Sequence, residues 1–354
     1  MAIPVQEKGS ERHFRSRRGD ASANGSGRHG IGRGDSRAGS RVLAVFENPL
    51  NTRILRAHAG GACQRGELQE KLGWCAEATV RAAVANLCDI GALTRLKDDD
   101  GASTVATALC PAGQEMLFVA DVLEDWLALC PQGVIAPDGE QAKQAIKALS
   151  GGWSTTLMRE LARHPFTLAE LSKLIPDVSY SALERRVTWM RTTGQIEPLE
   201  RQERGTPYVV TDWLRQSIAP IAAAGRCELR HMQGEAVPIT QIEVEAAFLL
   251  ALPLAPLPEH AAGECVLALQ ATDPSRPGKG DPELVGVTVN IRAGNRTVKT
   301  IVDHEPRIWA VGAPDAWLDA VIDGRLELLR VGGANPQFAA DLAHGVHLAL
   351  FPDR

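Results

Sequence analysis

The sequence predicts a mainly helical chain. Two successive helical units, each ending in a two-stranded hairpin and a long helix, precede a smaller mixed α+β domain. Three observations predict this. Alanine and leucine dominate a composition that is 44% hydrophobic but only 5% aromatic, which favours helices with aliphatic cores. One order of elements occurs twice between residues 41 and 235. Beyond residue 235 the apolar spacing turns from helical to alternating, as it does where strands replace helices. At 354 residues the chain also exceeds the roughly 150 residues of an ordinary domain.

Residues 1–40 are rich in Gly, Ser and Arg and lack apolar periodicity, so a disordered tail is expected there. The first unit, residues 41–135, opens with a helix over 50–58 that carries Leu50, Ile54 and Leu55 and stops at Gly60-Gly61. A short helix over 65–72 stops at Gly73, and a longer one over 76–90 sets Val80, Ala83, Val84 and Leu87 on one face. Strands over 93–96 and 103–109 flank a turn at 97–101, and an amphipathic helix over 111–129 closes the unit. The second unit, residues 136–235, repeats the order. It has helices over 141–149, 153–163, 167–174 (capped by Thr167 or its neighbour) and 179–192, strands over 195–200 and 206–211 around a turn at 201–205, and a closing helix over 213–230. In residues 236–354 a helix or strand over 243–252 ends at prolines. Strands are expected over 265–271, 285–291, 297–302 and 326–331, and helices over 314–323 and 336–350.

Helix, short helix, longer helix and two-stranded wing is the layout of a winged helix-turn-helix. One helix must present polar side chains to the major groove of double-stranded DNA, with the wing on phosphate. In the second unit the helix from Ser179 offers Ser179, Tyr180, Ser181, Arg185, Thr188 and Arg191, and the wing offers Arg201 and Arg204. The first unit offers only Thr79 and Arg81, and its wing tip Lys97-Asp98-Asp99-Asp100 repels phosphate. The charge distribution agrees. Residues 1–40 hold 8 basic and 4 acidic side chains, 41–135 hold 8 and 12, 136–235 hold 13 and 12, and 236–354 hold 9 and 15. A DNA-binding face must therefore be a local patch in a chain of net charge −5. The first unit is expected to touch DNA weakly or to act as a built-in dimer partner, so the chain is either a monomeric pseudo-dimer or a homodimer.

Residues 139–232 resemble the HxlR-type winged-helix regulators. The matching segments are Leu149-Ser150-Gly151-Gly152-Trp153, Phe166-Thr167-Leu168-Ala169-Glu170-Leu171, Val178-Ser179-Tyr180-Ser181-Ala182-Leu183-Glu184-Arg185-Arg186, Gly194-Gln195-Ile196-Glu197-Pro198 and Arg204-Gly205-Thr206-Pro207-Tyr208. Gly152 stands where the family carries lysine, and residues 43–128 look like a diverged copy without the leading tryptophan. The resemblance implies a transcription regulator that binds operator DNA. Residues 240–354 look like a sterol-carrier-protein-type domain, on the stretch from Asp315-Ala316-Trp317-Leu318 to Gly324-Arg325-Leu326, followed by Val331-Gly332-Gly333 and Phe338. That resemblance implies a site for a hydrophobic small molecule, with Phe248, Leu249, Val289, Trp309, Trp317, Leu318, Val321 and Phe338 as candidate contacts. The expected architecture is thus mainly α with α+β: two tandem winged-helix units followed by a small sterol-carrier-like domain.

Other chemistry finds little purchase. The seven cysteines form no CxxC pair, so neither a zinc site nor a disulfide framework is expected. Asp303-His304-Glu305 alternates across a strand and is expected as a solvated turn, His344 and His347 as a surface pair, and Gly332-Gly333 as a turn. No catalytic residue, metal or cofactor is expected, and the leading expectation is not an enzyme. The N-terminus lacks a signal-peptide core, and the longest apolar run, 246–257, is broken by Pro253 and Pro256, so a cytoplasmic chain off the membrane is expected. Two further functions stay open. One is a tandem winged-helix DNA-repair glycosylase acting through the Gln241-Ile242-Glu243 surface; the other is a protein that sequesters a metabolite.

Overall fold

In the computed structural model of the chain the described residues are 37–73, 75–96, 106–200, 205–232, 238–258, 261–271, 283–292, 294–302 and 306–352. The expected tail up to residue 36, the turn 97–101, the wing residues Arg201 and Arg204, the loop 272–282 and the Asp303-His304-Glu305 triplet lie outside them.

The first helical unit runs α1 (Ser40–Phe46), α2 (Pro49–Ala57), β1 (Cys63–Gln64), α3 (Arg65–Leu72), α4 (Glu77–Asp89), β2 (Leu93–Leu96), β3 (Ala106–Leu109) and α5 (Pro111–Ala128). The second runs α6 (Glu140–Ser150), α7 (Gly152–Arg163), β4 (Phe166–Thr167), α8 (Leu168–Leu174), α9 (Tyr180–Thr192), β5 (Ile196–Pro198), β6 (Pro207–Val210), α10 (Asp212–Gln216) and α11 (Ile218–His231). Local chemistry sets the starts. Asn48 caps α2 with Pro49 in its first turn, Thr167 and Glu170 form a capping box on α8, and the Ser179 hydroxyl accepts from the Ala182 N–H on α9. Each unit carries a three-stranded antiparallel sheet, in the orders β1-β3-β2 and β4-β6-β5. The extra strands β1 and β4 are two residues long, too short to show alternation in the sequence.

Two expectations change in the helical part. The tail boundary at residue 40 is too late, because Arg37 and Ser40 are buried. The Gly39 backbone has φ 82°, and a Cβ there would stand 2.9 Å from the Gly225 nitrogen, so glycine lets α1 start against α11. The closing helix expected over 213–230 is broken at Ser217 into α10 and α11. Pro220 has no N–H, and its ring clashes with the carbonyl of Gln216 in a continuous helix.

Like elements of the two units meet. α1 packs on α6, and α5 packs on α11. At the centre Trp126 and Trp213 stack with ring centroids 4.6 Å apart and planes 7° apart. Each indole N–H donates to the other residue's carbonyl, at 2.9 and 2.6 Å. Reciprocal contacts of this kind are the mark of a two-fold interface, here between parts of one chain.

The C-terminal part contains α12 (Gln241–Ala251), a 3-10 turn (Leu252–Leu254), β7 (Gly263–Ala271), β8 (Glu283–Arg292), β9 (Asn295–Lys299), β10 (Ile308–Gly312), α13 (Pro314–Asp323), β11 (Arg330–Gly333) and α14 (Pro336–Leu350). The sheet order is β11-β10-β7-β8-β9, with β10 parallel to β7 and the other pairs antiparallel. β10 is not foreseen by the sequence reading. The strand expected over 326–331 is a 3-10 turn at Leu326–Leu328 followed by β11. Gly332 and Gly333, expected in a turn, lie in that strand. Gly332 faces Trp309 so closely that a Cβ would sit 2.4 Å from the ring, so here glycine provides room rather than a bend. Helices cover one sheet face, where Cys265, Leu267 and Leu269 join the main core, while Val266, Ala268 and Val311 form a small cluster with Val302 and Trp309 on the other.

The helical and mixed parts share this core through α7 on α12 and α11 on α13. Polar contacts fasten the second seam. Arg226 on α11 bonds Glu115 of α5 and Asp323 of α13, both at 2.7 Å. Among the described residues no helix is long and apolar enough to cross a membrane. The chain is therefore mixed helix and sheet with helix predominant.

Candidate functional site

Two features stand out, an exposed helix face and an apolar cavity. The exposed feature is α9. Leu183, Val187 and Met190 turn inward, and Ser179, Tyr180, Ser181, Arg185, Thr188 and Arg191 are all exposed on the helix or its cap. Tyr180 keeps 51% of its surface open at the first turn. Arg186, which the sequence reading did not single out, holds the helix in place. It is buried, donates to the Lys147 carbonyl at 2.6 Å and lies over the Trp153 ring at 4.9 Å. Burial lowers its pKa, against a partial opposing effect from Glu47. β5 and β6 stand next to α9, and the hairpin tip that would carry Arg201 and Arg204 lies outside the described residues. In the first unit Thr79 and Arg81 are exposed on α4, the counterpart of α9, beside an ion pair between Arg65 and Glu77.

The second feature is a partly open apolar cavity of about 130 Å³ between α7, α11, α12, α13 and α14. Of the eight expected ligand contacts, Phe248, Trp317, Leu318 and Val321 line it. The Phe248 and Trp317 rings meet edge to face, with centroids 5.2 Å apart, and the Trp317 N–H is anchored on the Ala268 carbonyl at 2.8 Å. The other four do not line it. Leu249, Val289 and Phe338 are ordinary core, and Trp309 sits on the opposite sheet face beneath Arg330. The cavity does not belong to residues 236–354 alone. Met158, Ile218 and Ile221 of the second helical unit line it too, as does Arg37. A pocket inside the C-terminal domain is thus corrected to a pocket at its seam with the helical part, because a seam assembles walls from segments far apart in the chain.

Arg37 is 4% exposed. Its Nη1 donates to the Thr155 hydroxyl at 3.3 Å, and its Nε and Nη2 have no hydrogen-bond partner among the described residues. Burial lowers its pKa to about 10, partly opposed by Glu243 and Glu228, so it is charged at neutral pH. Both carboxylates accept backbone hydrogen bonds, and Glu243 also lines the cavity. Glu228 accepts from the Gly39, Arg41 and Val42 N–H groups at 2.9, 2.7 and 3.0 Å, and Glu243 accepts from the Ala38 N–H at 2.8 Å while capping α12. Burial pushes the Glu228 carboxyl up, and those N–H groups act against the shift. On its far side Arg37 borders a groove lined by Thr155, Asp177, Ser179, Ala182 and Ile242. Nothing in the periodicity of the sequence marks Arg37, which sits at the edge of a basic, Gly- and Ser-rich stretch.

The remaining candidates resolve simply. His344 is exposed, but His347 is buried and donates through Nδ1 to the Val321 carbonyl at 2.9 Å, so the two are not a surface pair. Among the described residues no group of three His, Cys, Asp or Glu side chains is placed to hold a metal ion. All seven cysteines are free, and burial pushes the Cys227 and Cys265 thiols up to about 12. No protein-family model matches the chain, and no curated protein matches it.

Proposed function

We propose that the chain is a DNA-binding transcription regulator built from two tandem winged-helix units, responsive to a hydrophobic small molecule. The observation that carries this is α9, a helix with a core-facing stripe and an exposed face of Ser179, Tyr180, Ser181, Arg185, Thr188 and Arg191 next to a β-hairpin. A helix held this way suits a groove about 12 Å wide. The HxlR-type resemblance of residues 139–232 and the like-with-like packing of the two units support the same conclusion. The second unit is the DNA reader, and the first serves chiefly as its built-in dimer partner. The C-terminal part resembles a sterol-carrier-protein-type domain and completes the cavity.

Ligand in the seam would shift the balance between packings of α12 and α13 against α7 and α11, and so the setting of α9. The test is electrophoretic shift with the DNA flanking the gene. Binding abolished by salt but unaffected by Arg185→Ala with Arg191→Ala would sink the site assignment. A sequestering protein would use the cavity alone and bind no DNA at low salt. A glycosylase would need a free carboxylate at the Gln241-Ile242-Glu243 surface. Glu243 is held by Thr240 and the Ala38 N–H, so release of alkylated bases is not expected.

A further inference from the structure

We infer that the seam cavity takes a small apolar carboxylic acid, whose carboxylate is gripped by the side edge of the Arg37 guanidinium and whose body lies against Phe248 and Trp317. The inference rests on the reading that this cavity holds a ligand, and it names the chemical class.

The two parts of the site are independent observations. The cavity is lined almost wholly by apolar side chains and has a volume of about 130 Å³. That is close to the roughly 150 Å³ in which an engineered apolar cavity accepts benzene. Among its lining residues is a charged side chain, Arg37, that is 4% exposed and underused. Guanidinium groups removed from water normally have their donors satisfied, because a desolvated unpaired charge is costly. Among the described residues the one hydrogen bond of the Arg37 side chain, to Thr155, uses Nη1. Nε and Nη2, the two nitrogens without a partner among the described residues, form the side edge of the fork and are themselves shielded from solvent. Their N–H bonds run parallel, which is the geometry that meets both oxygens of one carboxylate.

Charge restricts the choice further. Glu243, which itself lines the cavity, and Glu228 are near enough for Arg37 to feel them, and backbone N–H groups hold both in place. A dianionic phosphate would meet that negative field with one guanidinium to offset it, whereas a monoanion needs only one. An alcohol would satisfy a single donor of the edge, and an amine would be repelled. Arg37 also borders the groove that reaches Ser179 and Ala182 at the start of α9. Its carboxylate partner would therefore sit between the cavity and the helix assigned to DNA.

Isothermal titration of the full chain with benzoate, benzyl alcohol and benzylamine, and with hexanoate and hexanol, tests this. Each acid should bind at least tenfold more tightly than its alcohol, with benzylamine weakest. Arg37→Met should bring the acid down to the level of the alcohol and leave the alcohol unchanged. Arg37→Lys keeps the charge without the fork and should fall between. Ala247→Trp, which fills the cavity from α12, should remove binding of acid and alcohol together. Equal affinity of acid and alcohol, an acid preference that survives Arg37→Met, or no binding of any probe would overturn the inference. Acid binding in a chain that binds no DNA upholds the inference and sinks the regulator. DNA binding in a chain that takes none of the acids does the reverse.

Discussion

Replacing Trp126 or Trp213 by phenylalanine tests whether the two helical units are one rigid body. Each substitution leaves a smaller ring that no longer overlaps its partner as the indole does, and it removes one of the reciprocal indole bonds, 2.9 Å to the Trp213 carbonyl or 2.6 Å to the Trp126 carbonyl. Losing a partner for a buried carbonyl costs about 1–3 kcal/mol. Loss of the 4.6 Å stack adds about 0.5–1.5 kcal/mol beyond the area involved. A single variant should therefore be about 2–4 kcal/mol less stable. The two should differ, because the Trp126 carbonyl also accepts the Leu129 N–H at 3.2 Å, so W213F is the milder change. Either substitution already breaks the stack, so the double variant should cost about 1 kcal/mol less than the two singles combined. The assay is urea unfolding followed by far-UV circular dichroism, with the four proteins arranged as a double-mutant cycle. Costs that add to within about 0.5 kcal/mol would show that the rings stabilise their own units separately and do not pin the two units together.

Glu228→Ala should leave the N–H groups of Gly39, Arg41 and Val42 without their carboxylate and cost about 3 kcal/mol, with faster hydrogen exchange at those three amides. Unchanged exchange there would show that the start of α1 does not depend on Glu228. His58 donates through Nδ1 to the Ile54 carbonyl and accepts at Nε2 from Thr107, and burial lowers its pKa below 6.5. A depressed folded-state pKa gives stability that is present above 6.5 and lost as pH falls through the folded-state value. His58→Asn should flatten that part of the acid limb in thermal melts, and an unaltered pH profile would contradict the assignment. On DNA, Arg185→Ala with Arg191→Ala should lower the slope of log affinity against log salt by about 2, since each phosphate contact contributes about 0.9. An unchanged slope would remove both arginines from the backbone contact.

Much of this architecture is legible along the chain, because helices and their caps are local. Gly73 and Pro111, the Thr167–Glu170 box and the Ser179 cap sit within a few residues of the helices they bound. The stripe of Leu183, Val187 and Met190 similarly foretells which side of α9 faces the core, and hence which side chains stay outside. What depends on partners distant in sequence was not legible. β10 becomes a strand by lying parallel to β7, and β1 and β4 exist only through pairing with β3 and β6.

The cavity shows the division most clearly. An apolar side chain that lines a pocket and one that fills a core look the same in sequence, since both are driven out of water alike. Phe248 and Trp317 line the pocket, Val289 and Phe338 do not, and only the register of the sheet and the seat of α13 on α11 separate them. By itself the sequence determined the repeated helical units, the exposed face of α9 and the change of pattern near residue 235, because these follow from periodicity and capping. The tertiary structure decided that like elements of the two units pair around Trp126 and Trp213. It also decided that the cavity lies at a seam, and that Arg37, at the edge of a stretch with no pattern of its own, lines it, since each of these needs segments more than 80 residues apart to meet.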